Sequence, residues 1–303
     1  MAPVLDGLGE KLAEKWVSAS AAPGLLFLAA SAAAAVLGHD HALDGGLLRE
    51  RAGHWAATAE HRPVAGQVAA VAVVVLASVA AGAFVRICAE EAAVRLWTGD
   101  WPRAARALDR RLTARRAGRW TSLQREIDRI RRATPAHHRQ DADRLRIDEL
   151  TARRDLIALA RPTRPTHTGD RFAATESRLR GQYDIDLAAC WPALWLVLPE
   201  ETRAELRASR SRFDAAVTAT VWAGCYAALG CVWWPAAVVA AVTAPVAWRR
   251  GRRAATAHAG LVEAAVDVHL RKLAADVGLA APPGTPWEPR LGTALNRLFR
   301  KGA

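Results

Sequence analysis

From Ala215 to Trp248 the chain carries no charged side chain, and arginines crowd both flanks: Arg207, Arg210 and Arg212 before the run, Arg249, Arg250, Arg252 and Arg253 after it. One bilayer crossing needs roughly 20 residues, so the run is too long for a single span. Gly230 and Trp233-Trp234-Pro235 break it near its middle. The pattern predicts two short transmembrane helices joined by a tight aromatic turn, over 215–248, with arginines holding both ends on the cytoplasmic side. Two more apolar runs lie nearer the N-terminus. The first, Val17 to Gly38, is uncharged and centred on Leu25-Leu26-Phe27-Leu28; the second runs from about Val64 to Val85 and stops at Arg86. A cleaved signal peptide competes for the first run, because Ala33-Ala34-Ala35 follow its apolar core. However, the residues before it have no positive excess, and the stretch exceeds the usual ~7–15 residues. An uncleaved span is the expectation.

The segment between these runs, 39–63, is slightly acidic, whereas the segments after spans two and four are strongly basic. The positive-inside bias therefore places 39–63 outside as a loop and both termini in the cytoplasm. Small residues recur four apart in the spans, as in Ser78 and Gly82, Ala77 and Ala81, Ala223 and Ala227, and Ala236, Ala240 and Ala244. Such spacing lets helix backbones approach closely, which is what drives association in lipid. The expected fold class is all-α: a polytopic membrane protein with four transmembrane helices in two pairs and a helical cytoplasmic domain between them.

Outside the spans the periodicity is helical. Val4, Leu5, Leu8, Leu12 and Trp16 alternate with charges, predicting an amphipathic surface helix over 1–16. The cytoplasmic domain, 87–214, starts with helix continuing from span two to Thr98, then a fresh start at Asp100 and Pro102. Leu108, Leu112, Trp120, Leu123, Ile127 and Ile130 precede Pro135, and Leu145, Ile147, Leu150, Leu156, Ile157 and Leu159 return. That predicts an antiparallel helical hairpin, too short for a long coiled coil. Arg161 to Asp170 is a proline-punctuated connector, Arg171–Gly181 and Asp186–Leu198 are two short helices, and Glu200 and Glu201 open a helix feeding span three. The apolar Cys190-to-Pro199 stretch is too short to span, so it is interfacial or buried. After the hairpin, 249–303 reads as a basic tail: one amphipathic helix along Leu261, Val262, Ala265, Val266, His269, Leu273 and Val277, then a surface helix near Leu291, Leu295, Leu298 and Phe299.

Gly99-Asp-Trp-Pro102 with the arginine-rich helix after it, the block from Pro162 to Pro199, and Leu261-Val-Glu-Ala-Ala-Val-Asp-Val-His269 together resemble a family of uncharacterised multi-pass membrane proteins of high-GC actinobacteria. Within the block the matching residues are Pro162-Thr-Arg164, Gly169-Asp170, Glu176, Arg178, Tyr183, Asp186 and Trp191-Pro-Ala-Leu-Trp-Leu196. The family usually places Arg between the proline and leucine of the last motif, where this chain has Ala193, so no role of that arginine carries over. The resemblance covers most of the chain beyond span two and implies membrane residence, but no reaction.

Composition sharpens the partners. Of 303 residues 51% are apolar and 24% charged, with a net charge of +12. The basic residues are nearly all Arg, as in a GC-rich genome, and cluster beside the spans. Anionic headgroups are therefore the expected partner, at ~1 kcal/mol for each basic residue held near the leaflet. The helix from Arg103 to Arg132 could grip nucleic-acid phosphates, but Asp109, Glu126 and Asp128 interrupt it and Trp120 is its only aromatic, so nucleic acid is not expected. There are twelve Trp, and Trp16, Trp97, Trp233, Trp234 and Trp248 are placed like interfacial anchors. Cys88, Cys190, Cys225 and Cys231 form no CxxC and no disulfide framework.

Candidate chemistry is sparse. No Walker, GxGxxG, GxSxG, HExxH or CxxC motif is present. His39, His41, His54 and His61, with Asp40, Asp44 and Glu60, could form a metal or pH-sensing site, yet their spacing matches no known site and a solvated loop is simpler. Glu263, Asp267 and Arg271, one turn apart, could present paired carboxylates for acid–base work or an i,i+4 salt-bridge ladder, the plainer alternative. Glu176 with Arg178, and Tyr183 with Asp186, read as braces of the fold or a docking point. Glu90 and Glu91 sit at the membrane edge beside Arg86, and no carboxylate lies deep in a span, against proton-coupled transport. No catalytic, cofactor-binding or metal-ligating residue is therefore assigned. The expectation is a non-catalytic plasma-membrane scaffold that recruits a protein partner on the cytoplasmic side and can self-associate. An oligomeric pore is the alternative, and a lipid-modifying enzyme comes third.

Overall fold

A computed structural model describes residues 22–61, 63–133, 140–279 and 285–300, and every regular element among them is helical. In chain order these are α1 (Ala22–Leu37), α2 (Gly45–Glu60), α3 (Val64–Cys88), α4 (Val94–Thr98), α5 (Arg106–Ala133), α6 (Asp141–Ile157), α7 (His167–Tyr183), α8 (Leu187–Val197), α9 (Glu200–Gly230), α10 (Trp234–Asp276) and α11 (Pro289–Arg300). A π turn, Ala89–Ala93, joins α3 to α4, and a 3₁₀ turn, Arg103–Ala105, leads into α5. The amphipathic helix expected over 1–16, Trp16 and the Pro135 break lie outside the described residues. The chain divides into two compact units: Met1–Ala93 with Ala215–Arg249, and Val94–Asp214 with Arg250–Ala303.

In the first unit, α1, α3, α9 and α10 meet through small residues and aromatics. Gly24 of α1 lies so close to the Ser78 backbone of α3 that a Cβ there would strike the Ser78 carbonyl oxygen. Ser78 and Gly82 are buried, as are Ala223, Ala236 and Ala240, whereas Ala227 and Ala244 face outward. Only part of the small-residue pattern thus makes contact. Phe27 packs against Trp222 at 5.6 Å and edge-on to Tyr226 at 5.4 Å. The turn between α9 and α10 falls where Gly230 and Pro235 put it. A Cβ on Gly230 would come within 2.6 Å of that of Ala237, and Trp233 Nε1 donates to the Ala42 carbonyl at 2.9 Å. One helix among the described residues is long and apolar enough to cross a membrane, the 25-residue α3, and only 17% of its most apolar stretch is buried within the protein.

Segment 39–63 is not simply a loop, because it contains the four-turn α2. Asp44 Oδ1 accepts from Leu47 N at 3.0 Å and so starts the helix, and Ala, Arg, Glu and Leu carry it by propensity. Its apolar positions follow no clean stripe, which is why periodicity did not reveal it.

The second unit is built around α8. Cys190, Leu194 and Leu198 sit among Leu179 and Ile185, Leu206 of α9, Ala265, Val266, Leu270 and Leu273 of α10, and Leu295 of α11. The apolar Cys190-to-Pro199 stretch is therefore a buried core element, although Leu196 remains exposed. Helices α5 and α6 form the expected antiparallel hairpin around Ile127, Ile147 and Leu150, while Leu108, Leu145, Leu156 and Leu159 stay exposed. Three further readings need correction. Helix α10 runs unbroken for 43 residues instead of restarting after Arg253, because the intervening stretch is rich in Arg and Ala and has no proline, which outweighs Gly251 and Gly260. Residues Arg250–Ala303 accordingly belong with Val94–Asp214. Trp97 is no interfacial anchor: it is 4% exposed, edge-on to Phe213 at 5.8 Å and pressed on Gly251.

Replacing Gly24 by Leu forces α1 off α3, an overpacking change costing about 1–3 kcal/mol. The melting temperature of detergent-solubilised Gly24→Leu should fall well below that of Gly45→Ala, a position with open space around it. Equal melting temperatures would show that α1 and α3 do not meet there.

Candidate functional site

The stretches that carry the family resemblance come together in the second unit. Helix α4 ends at Gly99, whose φ of +80° is the left-handed region that glycine tolerates, and a Cβ there would sit 2.8 Å from Pro165. Asp100 then pairs with Arg164 instead of capping α5. Thr166 caps α7: its Oγ1 accepts from Gly169 N at 3.1 Å and donates to the Trp97 carbonyl at 2.7 Å. Gly169 has no Cβ to strike the Thr98 carbonyl above it. Helix α7 consequently starts at His167, earlier than expected, and Gly169 and Asp170 belong to its first turn.

Asp170 is 5% exposed and fully engaged. Its Oδ1 accepts from Thr163 N and Arg164 N, each at 2.8 Å, and its Oδ2 accepts from Arg116 at 2.7 Å. Arg116 also donates to the Ile157 carbonyl at 2.9 Å, and Trp120 Nε1 to that of Ala158 at 2.9 Å. One carboxylate thereby ties the α5/α6 hairpin and the connector to α7.

The candidates on α10 are engaged across helices. Arg178 pairs with Glu263 at 3.0 Å, and Tyr183 donates to Asp267 at 2.8 Å. Glu263 and Asp267 are thus held by α7, as neither a ladder along α10 nor a converging carboxylate pair. Burial, with the bond to Asp267, pushes the Tyr183 hydroxyl up to about 12. Glu176 pairs with Arg180 at 3.1 Å. Asp186 caps α8 through Ala188 N at 3.1 Å and binds Arg300 of α11 at 2.7 Å, which holds its carboxyl below the usual range. Asn296 accepts from Asp186 N and donates to the Asp184 carbonyl, clamping α11 on the α7–α8 corner. Burial pushes the Cys190 thiol up to about 11, away from thiolate chemistry.

Beside these braces lies a cavity of about 500 Å³. Its walls are mostly apolar, with Phe172, Leu187, Trp191, Pro192, Ala259 and Val262, and its polar lining includes Asp100, Arg164, Thr175, Glu176, Arg210 and His258. Buried Ser209 lies between two partners: its Oγ is 2.9 Å from the Leu206 carbonyl and shares a hydrogen bond of 2.8 Å with His258 Nδ1. Burial, with the nearby Arg210, lowers the His258 pKa from its ordinary value.

Thr175, Ser209 and His258 were not singled out from the sequence. A signal was present: each interrupts an apolar stripe, Ser209 between Leu206 and Phe213, Thr175 between Phe172 and Leu179, and His258 between Ala255 and Val262. The histidines of segment 39–63 are not gathered. His54 lies on α2, His61 donates through Nδ1 to the Ala57 carbonyl at 2.6 Å, and among the described residues no three His, Cys, Asp or Glu side chains cluster for a metal.

Asp170→Asn should destabilise the protein by about 3–5 kcal/mol, as breaking a buried pair does, and adding Arg116→Met should cost less than the sum of the two changes. Additive losses in thermal melts would separate the two side chains. Burial, then the nearby Arg252 and Arg116, lowers His167 from its ordinary 6.5 to about 4. Its stabilising contribution is complete above pH 6.5 and is lost as pH falls toward 4, because over that window only the unfolded chain takes up the proton. Melting temperature should drop across this range, and His167→Gln should flatten part of the drop; a variant with the parent's full pH dependence would clear His167 of the effect. No family model, curated protein or solved structure matches this chain, so what the cavity and its braces can do rests on their geometry.

Proposed function

We propose that this chain is an integral plasma-membrane protein of the actinobacterial kind it resembles, crossing the bilayer four times with both termini cytoplasmic. Its helical unit recruits a protein partner and catalyses no reaction. Helix α3 supports membrane residence: at roughly 37 Å it exceeds the ~30 Å apolar thickness, and its Val-rich surface is largely unburied. The uncharged parts of α9 and α10 are shorter, roughly 24 Å each, which suits a locally thinned bilayer. Trp234 and Trp248 are exposed at the ends of the α10 segment, and Arg249, Arg250 and Arg253 follow, in reach of anionic headgroups.

The observation that carries recruitment is the hairpin. Helix α6 buries Ile147 and Leu150 against α5, yet leaves Leu145 and Leu156, about three turns apart on one face, each 70% exposed. Two leucines bare on an otherwise charged helix suit a partner's apolar surface. Affinity capture from native membranes should recover a specific partner with the parent chain and lose it with Leu145→Glu/Leu156→Glu at unchanged abundance and melting temperature. Equal recovery by both would overturn recruitment through this face. A reporter fused after residue 303 should be active in the cytoplasm; activity on the outer side would overturn the topology.

A further inference from the structure

We propose that the side of α5 turned away from α6 is a docking face for an anionic lipid leaflet, which lays the α5/α6 hairpin along the cytoplasmic surface of the membrane; this rests on the proposed membrane residence and topology. Arg111, Arg115, Arg119, Arg125 and Arg129 are all exposed. On a helix they share one side, within an arc of about 120° and along roughly 27 Å. Among the described residues none of these five side chains makes a hydrogen bond or an ion pair. The acidic residues of α5 are engaged elsewhere: Asp109 accepts from Thr113, Glu126 pairs with Arg146 of α6, and Asp128 accepts from Gln124. Like charges on successive turns repel, and a surface of opposite charge relieves all five at once.

The shape and company of the row favour a lipid surface over a nucleic acid. The row is straight, as a flat layer of headgroups requires, and Leu108, 51% exposed, stands on the same side at its N-terminal end, where it can enter the acyl boundary. No aromatic ring is offered to a base: Trp120, the one aromatic of α5, is half-buried, donates to the Ala158 carbonyl and lies under the Arg154 guanidinium. Orientation follows from the hairpin itself. Arg116, Trp120 and Ile127 mark the side of α5 that meets α6 and its C-terminal end, and helical spacing puts the arginine row on the other side. On α6, Leu145 and Leu156 likewise lie away from buried Ile147 and Leu150. Docking by the row therefore turns the leucine face toward the cytosol, where a protein partner can reach it.

The test uses the full chain in lipid nanodiscs that carry a nitroxide quencher on some headgroups. A coumarin amino acid is encoded either at Ser122, in the arginine row, or at Ala152, exposed between Leu145 and Leu156. In discs of phosphatidylcholine mixed with phosphatidylglycerol, quenching at Ser122 should be about twofold or more above that in phosphatidylcholine alone, and quenching at Ala152 should be the same in both. The excess should vanish at ~1 M salt, where the screening length falls to about 3 Å. It should also vanish when all five arginines are changed to glutamine, a change that breaks no bond within the protein and so keeps the parent's melting temperature. Equal quenching at Ser122 in the two lipids, an excess that survives salt or the five substitutions, or equal excess at Ala152 would overturn the proposal. So would release of the Ser122 fluorophore from the leaflet by a uridine homopolymer, which would make the row a nucleic-acid site. Incorporation into the discs reads membrane residence separately: a chain held in the discs without the Ser122 effect overturns docking alone, and a chain that stays out of them overturns both.

Discussion

A carboxylate taken out of water has to find donors for its oxygens, and Asp170 finds three from parts of the chain far apart in sequence. Meeting that demand fixes much of the second unit. The Thr163 and Arg164 amides can reach Oδ1 only if the connector folds back over the first turn of α7, which sets Arg164 beside Asp100. Arg116 can reach Oδ2 only if α5 lies alongside, and its second bond, to Ile157, brings the end of α6 with it. Thr166, capping the same turn, holds the Trp97 carbonyl, so α4 is tied to the same point. The cavity wall formed by Thr98, Asp100, Arg164 and Gly169 is a product of these bonds, and its shape depends on them.

Much of the architecture was legible because its signals are local. A helix ending at Gly230 and another starting at Trp234 follow from a glycine and a proline; the α5/α6 hairpin follows from a 3-4-3 run and its return. Failures came where tertiary contacts or propensity overrode the pattern. Helix α7 begins four residues before Arg171 because Thr166 supplies a cap whose second partner lies on α4. Trp97 resembles a membrane anchor by position, yet Phe213 and the bare backbone at Gly251 make a slot for its ring.

The candidate site was half legible. Asp170, Glu176, Arg178, Tyr183 and Asp186 were marked out; Asp170, Arg178, Tyr183 and Asp186 make bonds that join or cap helices, whereas Glu176 pairs with Arg180 within α7. Thr175 and His258, which also line the cavity, were not marked, because they lie on two helices and their surroundings come from residues distant in sequence. His258 is a lone histidine until the fold sets its Nδ1 2.8 Å from Ser209, and Thr175 is an ordinary threonine until burial leaves its hydroxyl without a partner.

The arginine excess also takes on a second meaning. Read as genome style, Arg and Lys would be interchangeable, but several of these side chains use the guanidinium plane. Arg300 brings Nε and Nη2 to one oxygen of Asp186. Arg154 directs Nε and Nη2 at Asp155, Nη1 at Gln124 Oε1, and stacks 5.6 Å from the Trp120 ring. An ammonium is a single point charge without a planar face, so it can reproduce neither arrangement. The basic residues therefore divide by what surrounds them: those with fixed acceptors at several points of the fork hold the second unit together, while Arg249, Arg250 and Arg253, exposed just after the last uncharged run, keep their charge for whatever lies outside the protein.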